Sequence, residues 1–308
     1  MVFSSLLFLF RFLPAALIVY YLTPRRFRNL ALLVISLIFY CWGEVRYLPL
    51  MVASTLVDFG CGQGIKHFGE KKSARRLFLL LSMIFNLGSL LFFKYTGFIL
   101  SNIQALTHIP MPDFSLPLPL GISFYTFQTM SYTIDVYRGD VTPEDNLINF
   151  AAYVTLFPQL IAGPIVRYSD VAAELKSRTI TLPMIEKGAS LFILGLGSKV
   201  LIANNVGSLW DSTAALSLSD ISTPMAWIAA LAYSLQIYFD FSGYSLMAIG
   251  LGHMLGFTFP QNFNYPYISG SVTEFWRRWH MTLSGWFREY VYFPLGGSRC
   301  SAAKRTRN

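Results

Sequence analysis

Residues Thr273–Gly297 read TEFWRRWHMTLSGWFREYVYFPLGG, which puts one histidine, three tryptophans and three arginines into 25 residues. Ser271 and Glu274 have the spacing of a capping box, so the periodicity predicts a helix starting there. Projected at about 100° per residue, Phe275, Trp276, Trp279, His280, Leu283, Trp286, Phe287 and Tyr290 share one broad face. Arg277, Met281, Ser284 and Arg288 form a neighbouring strip, and only Gly285 argues against continuity. Two readings are open. An interfacial helix would keep its arginines in water and its tryptophans at the lipid headgroups, leaving His280 as a belt or core histidine. Alternatively, a histidine among aromatics is held neutral by desolvation and can accept a proton as a general base. In that case the adjacent arginines can hold the phosphates of a thioester carrier.

The rest of the chain decides which solvent surrounds this stretch. Of 308 residues, 54% are hydrophobic and 13% charged, about half the charge of a soluble domain. Apolar runs recur at about residues 3–22, 29–42, 47–65, 77–93, 118–137, 147–166, 184–207 and 224–257. The last is long enough for two short helices broken near Gly243 or Gly250. A membrane helix needs about 20 residues, so the expected fold class is all-α, a polytopic integral membrane protein with about eight to ten membrane or re-entrant helices. Residues 1–308 are expected to form one domain whose C-terminal part is missing. Pro158 and Pro164 interrupt one run, as re-entrant segments do. The net charge of +8 lies in short clusters between apolar runs, a positive-inside pattern rather than a nucleic-acid stripe. Arg25, Arg26 and Arg28 fall on the same side as Lys66, Lys71, Lys72, Arg75 and Arg76, which places the N-terminus outside. Residues 101–117, with three prolines and one charge, read as an outside loop. Met1–Leu22 carries Arg11 at its centre and is followed by TPRRFRN, so it reads as a first membrane segment and not a cleaved signal. Cys41, Cys61 and Cys300 are scattered and form no disulfide or metal-ligand pattern.

Ionisable residues within apolar runs are costly and must face a partner, a cavity or the interface. They are Asp58, Lys94, Asp135, Lys199 and Asp240, with the Glu274–Glu289 cluster. Asp58 fits a structural staple, and Lys94 and Lys199 fit snorkelling from helix ends. Asp240, in QIYFDFSGYS, is flanked by Tyr238, Ser242 and Tyr244. That polar strip lines either a helix–helix contact or a wet path.

Four blocks in this order resemble the membrane-bound O-acyltransferase superfamily, most closely its bacterial alginate O-acetyltransferase branch. They are LPLGISFYTFQTMSYTIDVYRGD (118–140), FPQLIAGPIVRYSD (157–170), YFDFSGYSLMAIGLGHMLGFTFPQNFNYPY (238–267) and FWRRWHMTLSGWFREYVYFPLGGSR (275–299). The resemblance implies a multi-pass enzyme of the bacterial inner membrane. Its lipid-embedded tunnel would pass an acyl group, acetyl for this branch, from a cytoplasmic thioester to a hydroxyl of an exported polysaccharide such as alginate. No cofactor would be bound. The donor would be acetyl-coenzyme A or an acyl carrier thioester, a periplasmic acetyltransferase would work alongside, and no nucleic acid is involved. A related branch carries D-alanine to cell-wall polymers. By motif likeness His280 lines the tunnel and supplies positioning or proton transfer, Trp276 and Trp279 shape it, and Arg277 and Arg278 contact carrier phosphates. Tyr238 and Asp240 are candidate tunnel residues, and no metal is implied. The superfamily's second histidine, between Trp and Gly and the residue most often assigned as catalytic, has no counterpart here: His67, His108 and His253 lie in other contexts. That lack, and the basic ending AAKRTRN, lead to the expectation of a truncated chain impaired on its own. A proton-coupled transporter using Asp240, His280 and Glu274, and a non-catalytic scaffold, are the rival readings.

Overall fold

In a computed structural model of the chain, residues 2–110, 112 and 116–299 are described; Cys300 and the basic AAKRTRN ending lie outside them. The described residues are helical and contain no strand. In chain order the helices are α1 (Leu13–Leu22), α2 (Arg28–Glu44), α3 (Leu48–His67), α4 (Lys72–Thr107), α5 (Ile122–Arg138), α6 (Leu147–Thr155) and α7 (Phe157–Leu160). They continue with α8 (Tyr168–Lys176), α9 (Leu182–Gly197), α10 (Asn204–Ala214), α11 (Thr223–Leu255), α12 (Val272–Arg278) and α13 (Met281–Phe287). Among the described residues, three stretches are long and apolar enough to cross a membrane: Arg25–His67, Lys72–Thr107 and Leu182–Ala214. Their side chains confirm the solvent. Ile84 and Phe98 on α4, Ile193 and Leu194 on α9, and Leu201 just beyond it leave most of their surface uncovered by protein. Contiguous apolar surface of that kind belongs in lipid.

Three expectations about these elements are corrected. Residues 101–107 belong to α4, which runs on past its apolar stretch and ends at His108 in a left-handed turn. The run 224–257 is not two helices, because α11 is one helix of 33 residues. Gly243 and Gly250 do not break it, since a glycine costs a helix only about 1 kcal/mol; they are contact points. The third correction concerns His280 and is described with the site.

The backbone gathers into two compact units. The first holds Met1–Leu22, Ala162–Val166 and Lys176–Gly285. Its centre is the pairing of α9 with α11. Gly188 and Gly195 on α9, seven residues apart, face Gly250 and Gly243 on α11 at the same spacing. A Cβ on Gly250 would lie 2.5 Å from the Gly188 carbonyl oxygen, and one on Gly243 would lie 2.7 Å from that of Gly195. Small residues at two-turn intervals let helix backbones touch, which is how membrane helices gain packing without a hydrophobic driving force. A π-helical turn at Ser198–Ala203 follows α9 and carries Lys199 into an ion pair with Asp240 of α11. The C-terminal end of α11 closes with Gly256 at φ 87°. Its last carbonyls, those of Met254 and Leu255, accept hydrogen bonds from Tyr21 (2.6 Å) and Tyr20 (2.7 Å), which satisfies groups that a helix end leaves open.

The second unit holds, among the described residues, those of Thr23–Ile161 and Arg167–Leu175 and residues 286–299. Its polar centre is Asp58, fully buried between α3, α4 and α5. The carboxylate accepts from the Asn86 amide (2.8 and 2.9 Å), the Ser82 hydroxyl and Thr133. The expected staple is present, made with an amide and hydroxyls. Asp135 is tied by a tyrosine, accepting from the Tyr290 hydroxyl at 2.8 Å. As Pro158 foretold, the chain turns at Leu156 between α6 and α7.

Candidate functional site

The quoted stretch is not one helix. Ser271 caps α12 by accepting from the Glu274 amide at 3.1 Å, but Glu274 reaches back to Gly270 and not to Ser271. After seven residues α12 ends at Arg278; Trp279 is extended and His280 is left-handed, with φ 41°. A new helix, α13, begins at Met281 and contains Gly285 without interruption. The physical reason lies outside the helical period. The segment 262–264 lies alongside, its Asn264 N–H donating to the Arg278 carbonyl and its Asn262 carbonyl accepting from the Met281 N–H, both at 2.9 Å. Those bonds take backbone groups that a continuous helix would have used. Histidine is among the few residues that tolerate the left-handed region, at a cost of order 1 kcal/mol, and such strain concentrates at functional positions.

The kink turns His280 inward: it is 8% exposed. Its Nδ1 lies 2.8 Å from Asn262 Oδ1, and its ring meets Phe241 edge-on at 4.8 Å and stacks on Phe263 at 6.4 Å. Nε2 hydrogen-bonds to no described residue. Burial pushes the imidazole down to about 4, so at neutral pH it is uncharged. Around it stands an aromatic wall. Trp279 stacks on Phe275 at 5.5 Å, meets Phe263 edge-on at 5.1 Å, and lies 6.3–6.4 Å from Tyr267 and Tyr238. A cavity of about 250 Å³ opens beside Asn262, lined by Tyr238, Ser242, Ser245, Gln261 and Phe263 among others.

Of the residues singled out in the sequence, His280, Trp279 and Tyr238 therefore come together. Trp276 is 55% exposed and touches Phe275. Arg278 is occupied locally, by Glu274 at 2.8 Å and the Asn264 carbonyl at 3.2 Å. Arg277 is exposed and hydrogen-bonds to no described residue. Asp240 pairs with Lys199 across the helix contact, while Tyr238 and Ser242 of the same strip line the cavity. Sequence reasoning missed Asn262, Thr282 and Ser245. Their only advance signal is the polar pair in QNFNYPY, set between aromatics just after α11 stops. No group of three or more His, Cys, Asp or Glu among the described residues is placed to hold a metal ion.

In the second unit, a cavity of about 690 Å³ is lined by Asp135, Arg138, Arg167, Glu289 and Tyr290. Its charges are mutually engaged. Arg167 pairs with Asp170 and Glu289, while Arg138 donates to the Glu289 carbonyl and covers the Tyr290 ring. Arg167 is thus compensated by carboxylates, whereas Arg138 makes no ion pair among the described residues.

Two outcomes follow from these contacts. His280 should stay neutral from pH 8 to about 5, followed by ring resonances in histidine-labelled protein. An unfolded histidine titrates near 6.5. Between about 6.5 and 4 the unfolded chain therefore binds a proton that the folded chain does not. This site makes stability fall as pH drops through that window. An imidazole titrating near 6.5 in the folded protein would contradict the burial. For the ion pair, Asp240→Leu alone should destabilise by leaving Lys199 unpaired in an apolar setting, while Asp240→Leu with Lys199→Met should recover most of the loss. Additive losses in the double variant would show that the two charges are independent.

A helical membrane protein that sequesters a neutral histidine in an aromatic wall is thus defined. The profile of MBOAT, the membrane-bound O-acyltransferase family, matches residues 141–308, and the chain belongs to that family. It is 47% identical over 312 residues to Probable alginate O-acetylase AlgI of Pseudomonas aeruginosa, covering 100% of this chain and 60% of that protein. It is 37% identical to the peptidoglycan O-acetyltransferase of Helicobacter pylori, covering 97% of this chain and 62% of the relative. It is 34% identical over 182 residues to the teichoic acid D-alanyltransferase of Streptococcus thermophilus, covering 57% of this chain and 44% of the relative. The chain spans about 60% of the length of the relatives that match it from end to end.

Proposed function

We propose that the chain works in an O-acyltransferase of the bacterial inner membrane that moves acetyl from a cytoplasmic thioester to a hydroxyl of an exported polysaccharide such as alginate. The observation that carries this reading is His280, buried and held at one ring nitrogen by Asn262. In the reaction the imidazole takes the acceptor's hydroxyl proton, the alkoxide oxygen attacks the thioester carbonyl, and the C–S bond breaks. The leaving thiolate then collects the proton. An imidazole that is already uncharged at pH 7 suits that step, because it needs no prior deprotonation before it accepts the proton. Trp279 and the neighbouring aromatics exclude water, which would otherwise compete for the acyl group.

In this reading the donor is acetyl-coenzyme A or an acyl carrier thioester, and exposed Arg277 is the nearer candidate for its phosphates. A periplasmic acetyltransferase receives or completes the transfer, and the N-terminus faces outward by the positive-inside pattern. The test is transfer of labelled acetyl from coenzyme A in proteoliposomes of the full gene product, with oligomannuronate as acceptor. Labelled ester on the sugar is the expected result. Movement of an intact sugar or ion with no acyl chemistry would establish the transporter reading instead, and D-alanyl transfer would redirect the acyl group to the third relative's class.

A further inference from the structure

The hydrogen bonds that Asn262 makes beside His280 have defined directions, set from the backbone outward. The Thr282 amide N–H can only donate, and it faces one end of the Asn262 side-chain amide at 3.4 Å. An NH₂ group there would put donor against donor, so the amide oxygen occupies that end. The same oxygen accepts from the Thr282 hydroxyl at 2.9 Å. That hydroxyl is free to donate because its own oxygen accepts from the Ile165 N–H at 3.0 Å. At the other end, the Asn262 NH₂ donates to the Ser245 hydroxyl at 2.8 Å. Asn262 is 1% exposed, and both ends of its amide are engaged by these protein partners. The nitrogen of His280 that meets Asn262 Oδ1, at 2.8 Å, is Nδ1. It faces an acceptor and must carry the proton.

We infer that Asn262 is a positioning residue for the proposed reaction: through Ser245 and Thr282 it fixes His280 as the Nδ1–H tautomer and leaves the Nε2 lone pair bare as the proton acceptor. Ile165 comes from the FPQLIAGPIVRYSD block, Ser245 and Asn262 from the block that precedes the WRRWH segment, and Thr282 from that segment. The network therefore joins three of the recurring blocks within one unit of the fold. It gives each a chemical task beyond packing. The tautomer matters because a neutral imidazole has one lone pair, and a base that carries its proton on the reacting nitrogen cannot accept another.

The inference rests on the acyl-transfer reading for its purpose but not for its first test. In protein carrying ring-¹⁵N histidine, the chain's four histidines give few signals, and His280 is assigned by its loss in His280→Asn. At pH 7, His280 is expected to show a protonated Nδ1 and an unprotonated Nε2; the reverse pattern, or two rapidly exchanging tautomers, overturns the assignment. This readout needs no turnover, so absence of acetyl transfer would count against the proposed function alone. The second test uses kinetics in the full gene product. Asn262→Leu should lower kcat about 100-fold with KM little changed, the scale of losing a positioned general base. Asn262→Asp keeps an acceptor for Nδ1–H and should recover most of that rate. It should also move the acid limb of the pH profile upward, because the carboxylate favours the imidazolium. Equal losses in both variants, with no shift of the profile in Asn262→Asp, would reduce Asn262 to a packing residue.

Discussion

His280→Asn is expected to lower acetyl transfer by the full gene product by about 10²–10⁴-fold, the range that a positioned acid–base group contributes, while the protein still folds. Asparagine is the informative replacement because residue 280 sits at φ 41°, where asparagine is tolerated and alanine is strained. His280→Ala should lose the same activity and in addition lower the unfolding temperature, since it adds backbone strain to the lost hydrogen bond. Comparing the two separates chemistry from folding. The measurements are labelled-acetyl transfer in proteoliposomes and thermal unfolding in detergent. An active His280→Asn enzyme would remove His280 from the mechanism. Activity lost only in step with stability would make it structural.

The contrast between what the sequence disclosed and what it concealed around this residue follows from range. Apolar runs report the solvent at each position independently, so the runs at 29–42, 47–65, 77–93 and 184–207 could be read without any partner, and they fall inside the apolar spans 25–67, 72–107 and 182–214. Pro158 likewise acts on its own neighbours, and the turn at Leu156 follows. The break at Trp279–His280 depends on backbone hydrogen bonds to residues 262–264, some 17 positions away, and no period within 272–290 encodes it. The wheel projection thus grouped Trp276 with Trp279 and His280, although Trp276 is largely exposed and the other two join the aromatic wall. Asp240 had two meanings until Lys199 was found beside it, because a charge in an apolar run announces a partner without identifying it. Asn262 was overlooked for the opposite reason: an asparagine between aromatics reads as loop chemistry, and its value lies in where its amide oxygen points. Gly243 and Gly250 were visible at their seven-residue spacing. Only the matching pair on α9 distinguishes a packing stripe from a helix break.

That stripe supports the second large effect. Gly195→Ala should destabilise the protein by about 2 kcal/mol or more, although alanine is the better helix former. The added Cβ meets the Gly243 carbonyl oxygen and, at 2.8 Å, the Met247 backbone nitrogen. Neither atom belongs to a side chain that can rotate away, so α9 and α11 must separate. Gly197, two residues along, has nothing within 4 Å of its would-be Cβ. Gly197→Ala should therefore be neutral or stabilise by up to about 1 kcal/mol, through the reduced entropy of the unfolded chain. The pair controls for helix propensity, lipid and detergent at once, since both positions lie near the end of one helix. Separation should also reach the site, because α11 carries Tyr238, Ser242 and Ser245, and Ser245 accepts from the Asn262 amide. Gly195→Ala should accordingly lose acetyl transfer at temperatures where it is still folded, and its His280 ring nitrogens should show the tautomer preference weakened. If Gly195→Ala and Gly197→Ala unfold at the same temperature, the close approach of α9 and α11 is not what holds this unit together.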